Sequence, residues 1–347
     1  MCSNATGRKR GVKMKIRKVL ISLVACFTLS CFIHVTVARA DELVSDGKAA
    51  VLIEAQTGNV LYEKNAHEQF APASMTKMMS MYLILEAIEN GSMKWDEVIR
   101  VSEHAASLGG SQVFLKPGEE MSVKDLFKSI AIASANDAVT ALAERVAGTE
   151  EKFVEQMNEK AKELGMKNTE FKNPTGLSTK GHLTTAYDMS IIGRHLVQDY
   201  PEITEFSGLY EDYIRQDTES PFWLVNTNKL LKYVDGVDGL KTGYTKEAGY
   251  CLTATANRDD MRVIAVVMGA SKSDIRNQEV ARLIEYAYEQ YELVPKLEDQ
   301  KLVSTGYNLL AKNRQFDIVT SEPVTLLKKK TDSEQETSYE ISLNDNM

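Results

Sequence analysis

The chain has 347 residues, of which 43% are apolar and 26% charged, with only 7 prolines. This composition can fill a substantial core and excludes disorder over most of the length, which suits one large domain and a smaller second one. Residues 1–40 carry eight basic groups and no acid, so the remainder holds 33 basic against 49 acidic groups, and nucleic acid is not an expected partner.

The first 40 residues have the layout of a secretory signal peptide. A basic start leads into an apolar stretch at 19–37, and Ala38-Arg39-Ala40 places small residues before a cleavage site. Met14 is an alternative start, because basic residues follow it directly. The apolar stretch is also close to the length of a membrane span, so an uncleaved anchor stays an alternative. We expect a signal peptide at 1–40 and an exported protein, in the cell envelope or secreted.

Cysteine and histidine usage points away from disulfides and metals. Three of the four cysteines lie in the signal segment, so the mature chain retains Cys251 and forms no internal disulfide. Cys251 stands in an apolar run and is predicted to be a small buried residue rather than a nucleophile. The histidines show no metal-ligand spacing, so no metal and no cofactor are expected. They are His34, His67, His104, His182 and His195.

Periodicity predicts strands first, then a run of helices, then two strands and a helix. Strands are predicted at 49–53 and 60–62, and later at 249–256 and 261–268. Helices are predicted at 74–88, from 123 with Ser122 as its cap, at 138–146, at 150–164, from about 185 to before Pro201, and at 274–293. The strand at 261–268 is almost wholly apolar, which is typical of a strand covered on both faces. This order predicts an α/β (α+β) fold in which helices sandwich an antiparallel sheet.

The composition changes after Pro295. The remainder is more polar and contains strand-like pieces at 316–319 and 324–327. We therefore expect a catalytic domain at 41–295, followed by a small, partial β-rich domain at 296–347.

Three short motifs occur in chain order: Ser74-Met75-Thr76-Lys77, Ser134-Ala135-Asn136 and Lys241-Thr242-Gly243. Each is weak alone, because Ser45-Asp46-Gly47-Lys48 also fits the first pattern and Ser342-Leu343-Asn344 the second. The surrounding sequence distinguishes Ser74 from Ser45, because Ser74 opens a strong helical pattern and Ser45 does not.

On a helix, Ser74 and Lys77 are one turn apart and share a face. A serine hydroxyl becomes a good nucleophile when a base removes its proton. Lys77 can do so only as a neutral amine, so its pKa must fall far below about 10.4, which burial or a second cation would achieve. A helix N-terminus would add a dipole favourable to a developing oxyanion. The simpler interpretation is a capping serine with an exposed lysine.

The other two motifs each allow two interpretations. The Ser134 hydroxyl could relay a proton and the Asn136 amide could hold a peptide, or both could cap a helix break. Lys241 and Thr242, expected near the start of a strand, could recognise a carboxylate, while Gly243 would let a substrate backbone come close. The alternative for this last motif is a turn.

Together and in this order, the motifs resemble the serine penicillin-recognising enzymes, which include penicillin-binding proteins and class A β-lactamases. Longer stretches narrow the resemblance, over about residues 49–293, to low-molecular-mass penicillin-binding proteins of the D-alanyl-D-alanine carboxypeptidase type. These stretches are Pro72-Ala73-Ser74-Met75-Thr76-Lys77, Ser134-Ala135-Asn136-Asp137-Ala138, Asn173-Pro174-Thr175-Gly176-Leu177, Val237-Asp238-Gly239-Leu240-Lys241-Thr242-Gly243-Tyr244-Thr245 and Ala248-Gly249-Tyr250.

The resemblance implies a penicillin-binding protein/β-lactamase-like transpeptidase fold and a role for each motif residue. Its implied substrate is the D-Ala-D-Ala end of a peptidoglycan stem peptide, and β-lactam antibiotics are implied as covalent inhibitors. The implied roles are Ser74 as acyl-ester nucleophile, Lys77 as general base, Ser134 as proton relay, Asn136 as substrate holder, Lys241 and Thr242 in the Lys241-Thr242-Gly243 motif as carboxylate ligands, and the backbone N–H groups of Ser74 and Tyr244 as oxyanion hole.

Two departures from the family pattern keep alternatives open. Family members usually end in a complete β-rich domain and an amphipathic anchoring helix, which this sequence does not show, so membrane attachment stays open. Glu170 lies where a class A β-lactamase places its deacylating glutamate, but it precedes Asn173 by three residues instead of four. We interpret Glu170 as a solvent-facing strand residue. The competing functions are a β-lactamase and a catalytically silent domain that binds peptidoglycan or senses β-lactams.

Overall fold

A computed structural model describes residues 43–307, 315–321 and 324–333 of the chain. The predicted signal peptide at 1–40 and the Ser342-Leu343-Asn344 triplet lie outside the described residues. Within the described ranges, no helix is both long and apolar enough to cross a bilayer.

The predicted strands and helices occur in the predicted order, with further short strands and helices between them. The strands are β1 (Ala49–Glu54), β2 (Val60–Lys64), β3 (Val98–Arg100), β4 (Glu120–Ser122), β5 (Glu211–Ile214), β6 (Phe222–Val225), β7 (Val237–Thr245), β8 (Gly249–Arg258), β9 (Met261–Ala270), β10 (Tyr291–Leu297), β11 (Leu302–Tyr307), β12 (Gln315–Val319) and β13 (Val324–Lys329). The α-helices are α1 (Lys77–Glu89), α2 (Glu103–Ser107), α3 (Val123–Ala133), α4 (Asn136–Ala147), α5 (Glu150–Glu163), α6 (Ala186–Asp199), α7 (Ile203–Ser207) and α8 (Ser273–Gln290). Short 3-10 helices lie at Ala73–Thr76 and Lys229–Lys232.

A five-stranded antiparallel sheet in the order β2-β1-β9-β8-β7 divides the molecule into two cores. Because side chains alternate across a strand, β9 contributes to both. Its residues Val263, Ala265 and Val267 pack with α8. Its residues Ile264, Val266 and Met268 pack in the larger core with α1, α3, α4 and α6. The predicted fold, an antiparallel sheet between helices, is confirmed.

Side-chain caps begin several of the helices. The Ser122 Oγ accepts the Asp125 N–H at 3.1 Å at the start of α3. The Thr185 Oγ1 accepts the Asp188 N–H at 3.0 Å at the start of α6. Each cap satisfies a donor that has no partner within the helix, so the predicted starts of these two helices are confirmed.

The predicted end of the last helix is wrong by three residues. Helix α8 ends at Gln290, whose carbonyl accepts the Lys330 N–H at 2.8 Å. The chain then continues as β10, which pairs with β13, while β11 pairs with β12. The β-rich character of this region is confirmed. The predicted division between residues 295 and 296 falls inside β10, and the domain assignment itself stays a prediction.

Candidate active site

The first motif does not begin an α-helix directly. Ser74 lies in the 3-10 helix Ala73–Thr76, and Lys77 is the first residue of α1. The predicted continuous helix at 74–88 is wrong at this end, because residues 74–76 belong to the 3-10 helix and the α-helix starts only at Lys77. Ala73, which precedes Ser74, has a φ of +47°. The tight turn leaves the Ser74 side chain partly exposed at the end of α1.

Lys77 connects the first two motifs. Its side chain is fully buried, and its Nζ lies 3.1 Å from the Ser74 Oγ, 2.7 Å from the Asn136 Oδ1 and 2.6 Å from the Thr175 carbonyl oxygen. A neutral amine can donate its two hydrogens to the amide and carbonyl oxygens and direct its lone pair at the Ser74 hydroxyl. The interpretation of Lys77 as an exposed lysine is therefore wrong.

Burial is the main cause that lowers the pKa of Lys77 well below 10.5. The positive charge of Lys241 lowers this pKa further, whereas Asp137 raises it. The amine that contacts Ser74 is therefore held toward its neutral, basic form.

Ser134 and Asn136 lie at the junction between α3 and α4. Ser134 adopts a left-handed conformation, with a φ of 62°, that ends α3 and turns the chain toward α4. Ser134 is buried, and its Oγ has no hydrogen-bond partner in the part of the chain that the structure describes. A buried hydroxyl without a partner is costly, which suits a group that meets substrate or water.

The Asn136 side chain does not cap a helix. Its Oδ1 accepts from Lys77, and its Nδ2 donates to the Gly109 carbonyl at 2.7 Å. Helix α4 begins after Ala135, without a side-chain cap. The helix break predicted as an alternative is present, but local capping by these two side chains is not what the structure shows.

The third motif lies in the second half of β7, so its predicted place near the start of a strand is wrong. The Lys241 side chain is buried, and its Nζ donates to the Thr242 carbonyl at 3.1 Å. Burial first, and then the charge of Arg276, lower the pKa of Lys241 to about 7. The Thr242 hydroxyl donates to the Thr227 Oγ1 at 2.6 Å.

Gly243 allows β7 to lie directly against the Ser74 turn. A Cβ at Gly243 would be 2.8 Å from the Pro72 carbonyl oxygen and 3.2 Å from the Met75 nitrogen. Any side chain there would separate the two motifs. The next residue, Tyr244, is exposed and stacks on Tyr250 with ring centroids 4.3 Å apart.

Sequence reasoning did not identify two residues that support this arrangement. The buried Asp137 carboxylate accepts the backbone N–H groups of Val113 at 3.1 Å and of Leu115 at 3.0 Å, which fixes the loop beside Asn136. Thr227 positions the Thr242 hydroxyl. Thr227 lies in no recognisable motif. Asp137 directly follows Asn136 in the second motif stretch, and an aspartate in such an apolar run is a signal of a buried, hydrogen-bonded acid.

Asn173 organises the turn that supplies the Thr175 carbonyl to Lys77. Its Oδ1 accepts the Gly176 N–H at 2.7 Å and the Thr175 hydroxyl at 2.9 Å. Gly176 has a φ of +81°, and a Cβ there would lie 1.9 Å from the Ala73 carbonyl oxygen. The Asn-Pro-Thr-Gly sequence signals a turn, but not its contact with the nucleophile.

The residues judged nonfunctional from sequence lie outside this cluster. Cys251 is buried, and burial raises its pKa to about 11, as predicted for an inert thiol. The Glu170 side chain is 59% exposed and pairs with Lys172, which confirms its surface position. The backbone N–H groups of Ser45 and Gly47 donate to the buried Glu279 carboxylate at 2.8 and 2.9 Å, so this second Ser-x-x-Lys segment has a structural role.

Comparison with known proteins agrees with the resemblance drawn from the motifs. A family model described as D-alanyl-D-alanine carboxypeptidase matches residues 35–272. D-alanyl-D-alanine carboxypeptidase DacF of Bacillus subtilis (strain 168) is 50% identical over 337 residues, which cover 97% of this chain and 86% of the relative.

Solved structures show the same relationship. Penicillin binding protein 5 from Haemophilus influenzae has a TM-score of 0.75 at 31% identity, covering 82% of this chain and 83% of that one. Penicillin-Binding Protein D2 from Listeria monocytogenes, solved in an ampicillin-bound form, has a TM-score of 0.64 at 33% identity, covering 70% of this chain and 98% of that one. With the family model and the relatives in agreement, the chain belongs to the D-alanyl-D-alanine carboxypeptidase family.

Proposed function

We propose that this protein is a serine-type D-Ala-D-Ala carboxypeptidase that removes the terminal D-alanine of peptidoglycan stem pentapeptides through an acyl-enzyme. One observation carries the proposal: Lys77 is buried within 3.1 Å of the Ser74 Oγ, and its pKa lies well below 10.5. A lysine in this state can act as a base, whereas an exposed lysine stays protonated at neutral pH. Membership of the carboxypeptidase family supports the choice of substrate.

In the proposed acylation, the Ser74 hydroxyl passes its proton to Lys77 as its Oγ bonds to the carbonyl carbon of the penultimate D-alanine. The carbonyl oxygen becomes an oxyanion that accepts from the N–H groups of Ser74 and Tyr244. Collapse of this intermediate breaks the C–N bond. The leaving amine then receives the proton from Lys77 through the Ser134 hydroxyl.

Recognition and deacylation complete the cycle. Lys241, as a cation, and the Thr242 hydroxyl bind the terminal carboxylate, while the Asn136 amide holds the peptide. After D-alanine leaves, a water molecule gives its hydroxide to the ester carbon and its proton to the Ser74 Oγ. Each cycle consumes one water and releases one D-alanine and one tetrapeptide.

The test is mass spectrometry of a purified stem pentapeptide after incubation with the enzyme. The wild type is expected to release one alanine per peptide, and Ser74→Ala none. Ser45→Ala is the matched control, because it changes the serine of the other Ser-x-x-Lys segment and should leave turnover intact. An intact pentapeptide with the wild type, or continued release by Ser74→Ala, would contradict the proposal.

We further propose that the enzyme acts outside the cytoplasmic membrane after removal of residues 1–40. The support is the signal-like sequence together with the location of peptidoglycan, which is extracytoplasmic. N-terminal sequencing of protein recovered from the cell envelope should give a chain that begins at Asp41. Recovery of a chain that retains Met1 or Met14 would instead indicate an uncleaved anchor.

β-Lactam antibiotics are proposed as covalent ligands of Ser74. The ampicillin-bound form of a relative at 33% identity supports this proposal. In the adduct, the carboxylate of the antibiotic would take the position of the terminal carboxylate of the peptide, at Lys241 and Thr242.

A further inference from the structure

His182 is a buried histidine that contacts the turn at Ala73–Thr76, which carries Ser74. It has no part in the proposed chemistry. Its side chain is 3% exposed and packs edge-on against Phe171, with ring centroids 5.8 Å apart. Its Nε2 lies 2.9 Å from the hydroxyl of Thr76, the residue of the first motif that directly precedes Lys77.

The surroundings of the imidazole fix the direction of these hydrogen bonds. The Nδ1 accepts the Lys172 N–H at 3.3 Å, so in the neutral ring the hydrogen is on Nε2. Burial, and then the charge of Lys172, lower the pKa of His182 to about 4, which keeps the ring neutral at physiological pH. The Nε2–H therefore donates to the Thr76 hydroxyl, which in turn donates to the Ala73 carbonyl at 2.8 Å.

The Ala73 carbonyl belongs to the same peptide group as the Ser74 N–H. Because a peptide group is planar, fixing this carbonyl also fixes the direction of that N–H. Ala73 has a φ of +47°, a conformation that L-residues rarely adopt and that neighbouring contacts must hold in place. The hydrogen bonds from His182 through Thr76 hold the carbonyl of Ala73, the residue whose positive φ must be held in place.

We propose that His182 is a positioning residue for acylation: through Thr76 it fixes the Ala73–Ser74 peptide, and with it the nucleophile and its oxyanion-binding N–H. The inference rests on the proposed role of Ser74. It predicts that the hydrogen bond donated by Nε2 matters for the rate, beyond the contribution of the ring to packing.

The experiment measures the second-order rate of acylation by a fluorescent penicillin, together with the end-point labelled fraction, which counts folded sites. His182→Leu is expected to acylate about 10- to 100-fold more slowly per folded site, since small misplacements of reacting groups have effects of this size. His182→Gln should recover most of the rate, because its amide can donate from a similar position. Thr76→Val should slow acylation like His182→Leu, and the double variant should be no slower than the worse single variant.

Two controls separate positioning from stability. Phe171→Leu weakens packing against the imidazole but leaves the hydrogen bonds, so it should lower the melting temperature while the rate per folded site stays unchanged. His195→Gln changes a histidine on the surface of α6 and should alter neither quantity.

Equal rates per folded site for His182→Leu and the wild type, or a His182→Gln variant as slow as His182→Leu, would overturn the inference. A wild-type protein that takes up no label at Ser74 would overturn the proposed function instead.

Discussion

Lys77 and Lys241 are both buried, yet the proposed reaction needs them in opposite protonation states. Lys77 must be neutral to accept a proton, and both burial and the charge of Lys241 favour that state. Lys241 must be a cation to bind a carboxylate, although burial and Arg276 lower its pKa to about 7. The carboxylate of the bound substrate places a negative charge beside Lys241, so substrate binding itself favours the charged form of this lysine.

The pH dependence of kcat/KM should therefore be bell-shaped, since this parameter reports the free enzyme. On the acid side, activity falls as Lys77 becomes protonated. On the alkaline side, it falls above about pH 7 as Lys241 loses its proton. Arginine stays protonated throughout, so Lys241→Arg should remove the alkaline limb while lowering the maximum. Initial rates of D-alanine release from pH 5 to 10 provide the measurement.

Lys48→Arg is the matched control for this profile, because Lys48 is the lysine of the other Ser-x-x-Lys segment. It should leave both limbs in place. An alkaline limb that persists unchanged in Lys241→Arg would assign that titration to a different group.

At the scale of elements, the site is built from the connections between helices and strands. The turn at Ala73–Thr76, the junction of α3 and α4, and the turn at 173–177 all converge on the Nζ of Lys77. The helices and strands that flank these connections hold them in place. His182 belongs to the same packed layer, through its contacts with Thr76 and Phe171.

Burial of a neutral His182 makes the stability of this layer depend on pH. Between about pH 4 and 6.5, the unfolded chain binds a proton at this residue and the folded chain does not. Lowering the pH through this window should therefore reduce the free energy of unfolding, by up to about 3 kcal/mol. Urea denaturation at a series of pH values measures this, and His182→Gln should lose that part of the pH dependence.

His195→Gln, which changes a half-buried histidine on α6, is the reference variant for the same titration. A denaturation midpoint with the same pH dependence in the wild type and in His182→Gln would show that other groups govern the acid transition.

Sequence patterns predicted the elements better than the connections between them. The Ser122 and Thr185 caps are local signals, and the structure confirms both helix starts. The 3-10 turn at Ser74 could not be predicted, because its shape depends on contacts with Gly176 and Gly243, which are remote in sequence. The structure brings the three motif segments together, but the Asp137 and Thr227 contacts exist only once the chain is folded.

At the scale of the whole molecule, the outcome of the reaction depends on which groups reach the acyl-enzyme from solvent. In the peptide reaction the D-alanine departs and leaves room for water, whereas in a β-lactam adduct the amine stays tethered and obstructs it. Rapid hydrolysis would then need a dedicated base. Glu170 is exposed and pairs with Lys172, so we do not expect it to fill that role.

Penicillin should therefore trap this enzyme, with an acyl-enzyme that outlives a catalytic turnover by orders of magnitude. Stopped-flow acylation followed by intact-mass measurement over minutes to hours tests the lifetime. Glu170→Ala should leave it unchanged. Rapid return to the free mass, with steady nitrocefin hydrolysis that Glu170→Ala abolishes, would identify a β-lactamase.

The central position of β9 in the sheet affects how the protein unfolds. Its side chains belong alternately to the core under α8 and to the core under the other helices, and its backbone pairs with β1 and β8. Neither helical layer can detach without exposing one face of this strand to water. The two layers should therefore unfold as one cooperative unit. A substitution that destabilises the layer of α8 should then also lower the stability of the site around Ser74, on the other side of the sheet.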